Sequence, residues 1–106
     1  MSRDINLRVN TGVEQKGFTV TSSEFTKISN WNGVDREFFS VNIKGEDSAV
    51  KVLFTTDPLA DEKSMKELNQ GLIALSEFLF LRCDFYVKVA NGGADTDIAV
   101  WESKKN

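Results

Sequence analysis

Two runs of alternating apolar and polar residues limit what this chain can become. Arg36–Lys44 and Ala49–Thr56 flank the polar segment Gly45-Glu46-Asp47-Ser48. Phe39, Val41 and Ile43 alternate with Ser40, Asn42 and Lys44, and Val50, Val52 and Phe54 alternate with Lys51, Leu53 and Thr55. A period of two belongs to a strand with one dry face. A Gly-containing polar turn between two such runs predicts a hairpin.

The same alternation recurs along the chain. Ile5, Leu7 and Val9 mark a short extra strand within residues 1–10. From Phe18, with Val20, Thr26 and Ile28 in phase and Ser22-Ser23 interrupting, the pattern predicts a long bent strand, with a bulge near Phe25. Cys83, Phe85, Val87 and Val89 take the inward positions of a later strand whose outward positions are Arg82, Asp84, Tyr86 and Lys88. Thr96–Trp101 is the last strand, and residues 102–106 are a polar tail. Ser29–Asp35, which carries Trp31, and Asn91–Asp95 read as loops on their Asn, Gly and Asp content.

One segment breaks the period. After Asp57, a capping residue, and Pro58, suited to a first helical turn, come Met65, Leu68, Leu72, Leu75 and Leu79 at spacings of three and four. That is one apolar stripe, and Glu62 with Lys66 and Lys63 with Glu67 support its solvated side. The spacing predicts a helix over about 58–79, laid as a lid on a sheet.

The 106 residues fit a single domain, and a chain of this size buries roughly two-thirds of its unfolded surface. A hydrophobic content of 41% and a charged content of 27% are ordinary for a globular protein. No apolar run approaches the roughly 20 residues of a membrane span, and the start lacks a signal-peptide core, so an intracellular, cytoplasmic protein without membrane contact is expected. A single cysteine, Cys83, cannot form an internal disulfide and reads as a buried, inert thiol.

Histidine is absent, which removes the commonest general base and zinc ligand. Neither Asp95 with Asp97 nor Glu46-Asp47 has a third oxygen ligand at calcium-loop spacing, and Gly92-Gly93 lacks the lysine of a phosphate loop. No enzyme, metal site or cofactor is expected. The net charge of −3 argues against coating duplex nucleic acid by bulk electrostatics, yet leaves room for a local positive groove.

An optional short strand followed by three strands, a helix and two strands is the succession of the OB-fold, a small Greek-key barrel spanning residues 18–101. A helix-capped open sheet is the runner-up. Pleckstrin-like and ubiquitin-like arrangements place their helix differently.

A Phe/Val-rich hairpin, the leucine-rich segment Lys-Glu-Leu-Asn-Gln-Gly-Leu-Ile-Ala-Leu and a strand of basic and aromatic residues give a chain that resembles the small phage-encoded OB-fold single-stranded-DNA-binding proteins. The likeness is one of pattern and order over about Phe18–Trp101. It implies a host-cytoplasmic protein of replication or recombination that binds single-stranded DNA, or RNA, without sequence preference. Its ligand would cross the central hairpin, where Trp31, Phe38, Lys44, Lys51, Arg82, Tyr86 and Lys88 supply rings for bases and cations for phosphates. Taken singly, each of these residues is as readily an ordinary surface side chain; only their joint placement on one side makes a site. The alternative is a small protein–protein interaction module, an assembly subunit or a phage inhibitor of a host complex, with a homodimer through edge strands in view on either reading.

Overall fold

The computed structural model describes residues 12–44, 50–68 and 71–105. The strand expected within residues 1–10 and the Gly45–Ser48 turn lie outside them. Eight strands run in chain order: β1 (Glu14–Val20), β2 (Thr26–Ser29), β3 (Arg36–Ile43), β4 (Val52–Thr55), β5 (Lys66–Leu68), β6 (Gly71–Ala74), β7 (Phe85–Val89) and β8 (Thr96–Lys104). They form two antiparallel four-stranded sheets: sheet A in the order β1-β8-β3-β6, sheet B in the order β2-β7-β4-β5. The mainly β class stands. A closed barrel does not form among the described strands.

The inward sets predicted from alternation are the core. Phe39, Val41 and Ile43 from sheet A are buried together with Val52, Phe54, Phe85, Val87 and Val89 from sheet B. Phe39 meets Phe85 edge-on at 5.0 Å between ring centroids, and Phe54 meets Phe85 at 5.2 Å, so three rings join the sheets. Each such buried side chain contributes on the order of 1.5–3 kcal/mol.

Strand partners differ from the prediction. β3 and β4 do not pair with each other: β3 lies between β8 and β6, and β4 between β7 and β5. The expected hairpin is instead a passage between sheets. The long bent strand likewise divides at the Ser22–Phe25 segment into β1 in sheet A and β2 in sheet B. Alternation reports which face of a strand is dry, and both arrangements satisfy it equally. The expected polar tail is also partly strand, since β8 continues through Lys104.

The helix over 58–79 is absent. Asp57 and Pro58 open a tight turn instead, in which the Leu59 amide donates to the Asp57 carboxylate (3.0 Å) and the Ala60 amide to the Asp57 carbonyl (3.0 Å). Two short 3-10 turns, Glu62–Ser64 and Ser76–Phe78, bracket β5 and β6. β5 pairs with β4, and β6 pairs with β3, so this one segment lines an edge of each sheet. A helix would leave both edge ladders without their backbone partners, which is the cost that overrides the leucine spacing. Leu68 and Leu75 still reach the core, but Leu72 points outward at 69% exposure. The expected helix-surface pairs give way to Lys66–Glu77 (2.9 Å), Lys51–Glu67 (3.8 Å) and Lys88–Glu62.

One end of the stack is closed by Arg36, whose side chain is fully buried. Its Nε–H donates to Ser29 Oγ (2.7 Å) and approaches the Glu102 carboxylate (3.2 Å); its terminal nitrogens donate to the carbonyls of Leu81 (2.9 Å) and Cys83 (2.7 Å). The Ser29 hydroxyl donates in turn to Glu102. The guanidinium lies 3.7 Å from the centre of the Phe85 ring.

Gly71 separates the two accounts of the 58–79 segment. Its φ is +93°, and a methyl group there would meet no atom within 4 Å, so Gly71→Ala costs backbone strain alone. The sandwich predicts a loss of about 1–2 kcal/mol in urea unfolding. In a helix the same change would stabilise by about 1 kcal/mol, so the sign decides.

Candidate functional site

The two sheets present chemically different outer faces. On sheet B the register places Lys27 and Thr55 beside Tyr86, and Leu53 and Glu67 in line with Lys88. On sheet A the outward residues include Gln15 and Ser40 beside Trp101, Asn42 and Gly17 beside Ala99, and Phe38 beside Ser103. Leu72 and Ala74 of β6 continue that face. Its ionisable residues, Lys44 and Asp97, stand together at one end, where both line a small hollow with Gly17 and Thr19.

The uncharged part is shaped as a groove of ≈ 340 Å³ lined by Val13, Phe38, Ser40, Leu72 and Trp101. Ser40 forms its buried floor, while Val13 (39%), Phe38 (41%) and Leu72 (69%) stand exposed on its walls. β8 explains why such a face exists. Ile98, Ala99, Val100 and Trp101 are apolar at both parities, so once Ile98 and Val100 fill the core, Ala99 and Trp101 face out.

The seven residues singled out from sequence do not converge. Phe38 belongs to the sheet A groove, and Lys44 lies at the far end of the same strand. Tyr86 and Lys88 lie on the outer face of sheet B, the opposite side of the stack. Tyr86 packs edge-on to Phe25 at 6.4 Å. Lys88 is buried, bonded to the Glu62 carboxylate and to the Asn91 side-chain oxygen (3.1 Å). Exposed Lys51 pairs with Glu67. Trp31 and Arg82 do come together, with the guanidinium 5.9 Å from the indole and 3.4 Å from the Asp35 carboxylate. Phe80, two residues before Arg82, is 86% exposed. Cys83 is half-buried against the core.

Two carboxylates have altered acidity. The Trp31 backbone N–H, at 2.7 Å, is the main cause holding Asp84 below its ordinary range; the Lys27 ammonium at 3.2 Å adds to it, and partial burial opposes it. Glu62 is held low chiefly by its hydrogen bond from Lys88, then by the Asn91 amide, against an opposing loss of solvent.

Comparison with protein-family models, curated proteins and solved structures finds no match to this chain.

Val13, Ser40, Leu72 and Trp101 were not predicted as site residues. The double apolar parity of Ile98–Trp101 was the available signal, since a strand dry on one side does not need Trp101. Leu72 was hidden because its spacing with Leu68 and Leu75 fits a helical stripe equally well.

Because the folded state lowers the pKa of Asp84, its contribution is present above the unfolded value of 3.8 and is lost as pH falls through the lower folded value. In a Trp101→Phe background, Trp31 emission should therefore be flat from pH 7 to about 4.5 and change only with a midpoint below 3.8, while far-UV dichroism still reports the sheets. Asp84→Asn should abolish that step. A midpoint above 3.8 would contradict the Trp31–Asp84 contact.

Proposed function

We propose that this chain is a protein–protein interaction module, an assembly subunit that receives an uncharged polypeptide surface on the outer face of sheet A. The observation that carries this reading is the groove of Val13, Phe38, Leu72 and Trp101 over Ser40, on a face free of ionisable side chains along most of its length. Contiguous exposed apolar surface of this kind marks docking sites, and a half-buried tryptophan beside a phenylalanine is the usual composition of an interface centre. A phosphate backbone needs cations, and among the described residues the groove is lined by none, while Lys44 stands at the end of the face beside Asp97.

A second reading, single-stranded nucleic-acid binding in replication or recombination, is favoured by one local observation. Arg82 lies over Trp31, which joins a ring and a cation, and Phe80 is exposed two residues before Arg82. Stacked bases contribute about 1–3 kcal/mol each, so such a cluster suits a short contact. Against it, Lys51, Arg82 and Lys88 each already face a carboxylate within 4.0 Å, and Phe38 and Tyr86 serve opposite sides of the stack.

A photo-crosslinking residue placed at position 72, in cells producing the chain, should yield polypeptide adducts, while the same residue at position 27 on the sheet B face should yield few. Equal adducts at both positions, or none at 72, would overturn the reading. Oligo-dT added to the purified protein at low salt should leave tryptophan emission unchanged; saturable quenching would move the function to the second reading.

A further inference from the structure

Resting on the interaction reading just given, we infer that the occupant of the sheet A groove is the same face of a second copy of this chain, packed face to face about a two-fold axis. Three observations on that face point to a copy. First, it carries relief of both signs. Leu72 projects at 69% exposure beside a groove whose floor, Ser40, is 2% exposed, so each face carries both a knob and a hollow. A two-fold contact requires this property, because a patch must fit itself.

Second, its charge permits self-contact where the rest of the molecule resists it. The chain carries a net charge of −3, so two copies repel in most orientations. On sheet A the middle positions are neutral, and the ionisable residues at the end, Lys44 and Asp97, are of opposite sign. Stacking two such faces therefore accumulates no like charge. The sheet B face carries its charges as in-chain pairs, Lys27 with Asp84, Lys51 with Glu67 and Lys88 with Glu62, which a covering copy would have to strip of water.

Third, its small central residues suit sheet-on-sheet approach. Gly17 and Ala74 stand exposed on this face, with Ala99 buried between its neighbours, and sheets packed on each other sit about 10 Å apart. Four strands at about 4.8 Å spacing and roughly six residues at about 3.3 Å rise give a face of roughly 400 Å² in projection per copy. Over two copies this is about 800 Å², below the roughly 1,000 Å² of a stable specific interface and in the range of weak, transient contacts, so a reversible association no tighter than micromolar is expected.

Sedimentation of the full chain tests this. A dimer should form at about 200 μM and dissociate towards about 1 μM, an interval set by the micromolar expectation. Leu72→Glu, at a position exposed enough to leave the fold intact, should shift the dissociation constant at least tenfold upward. Leu59→Glu, equally apolar and 92% exposed on the Asp57–Ala60 turn, should change nothing. A monomer at all these concentrations overturns the inference, and so does a dimer that survives Leu72→Glu, which would be held elsewhere, as by edge strands. If the purified chain is monomeric while position 72 crosslinks to a different polypeptide in cells, the copy is wrong and the interaction reading stands. With no adduct at 72 in either setting, both fail.

Discussion

Arg36 is the residue on which the arrangement of this chain turns. A guanidinium removed from water needs every donor occupied and its charge answered, or the cost is several kcal/mol. Here it is answered by four residues from three separate stretches: Ser29 at the end of β2, Leu81 and Cys83 in the loop before β7, and Glu102 in β8. Arg36 begins β3 of sheet A and stacks on Phe85 of sheet B, so one side chain fastens both layers and the loop between them. Hydrogen bonds of this geometry fix register as well as proximity, because the planar fork accepts partners in few directions.

That clamp also shapes the outer surface. Drawing Glu102 inward sets the parity of β8, which leaves Trp101 and Ser103 on the opposite side. The carboxylate is absorbed where it is useful, and the groove of Val13, Phe38, Leu72 and Trp101 on the outer face of sheet A is left without an ionisable side chain. On sheet B the opposite holds: Lys27, Lys88 and Glu67 remain outward, and Glu62 folds back to meet Lys88. A sandwich with one neutral and one ionic side is polarised for contact on a single face, and the functional reading follows from that polarity.

The sequence was legible wherever local periodicity was enough. Phe39, Val41, Ile43, Phe85, Val87 and Val89 were readable as inward, and they are the core. What alternation cannot carry is the identity of the neighbouring strand. Among the described strands only β4 and β5 are both consecutive in sequence and paired, and the one turn signal that suggested a hairpin, between β3 and β4, joins strands of different sheets. The Leu68–Leu75 stretch failed for a related reason. Spacings of three and four also place Leu68 on the dry face of β5 and Leu75 inward just beyond β6 in the other sheet, and long-range ladder bonds, invisible in the local pattern, decide between the two. The expected gathering of rings and cations rested on the same step, since that trough required one closed ribbon, and two stacked sheets send Phe38 and Tyr86 to opposite sides. Arg36 itself gave no local sign, because its partners lie 7 to 66 residues away.

The measurement that bears most directly on this account is the unfolding free energy of Arg36→Met beside that of Arg36→Lys. A clamp of the kind described predicts a loss of about 3–5 kcal/mol for the first, with little recovery in the second, because a single ammonium cannot reach the same spread of acceptors and stack on Phe85. A loss below about 1 kcal/mol in either variant, the range of an exposed ion pair, would contradict it.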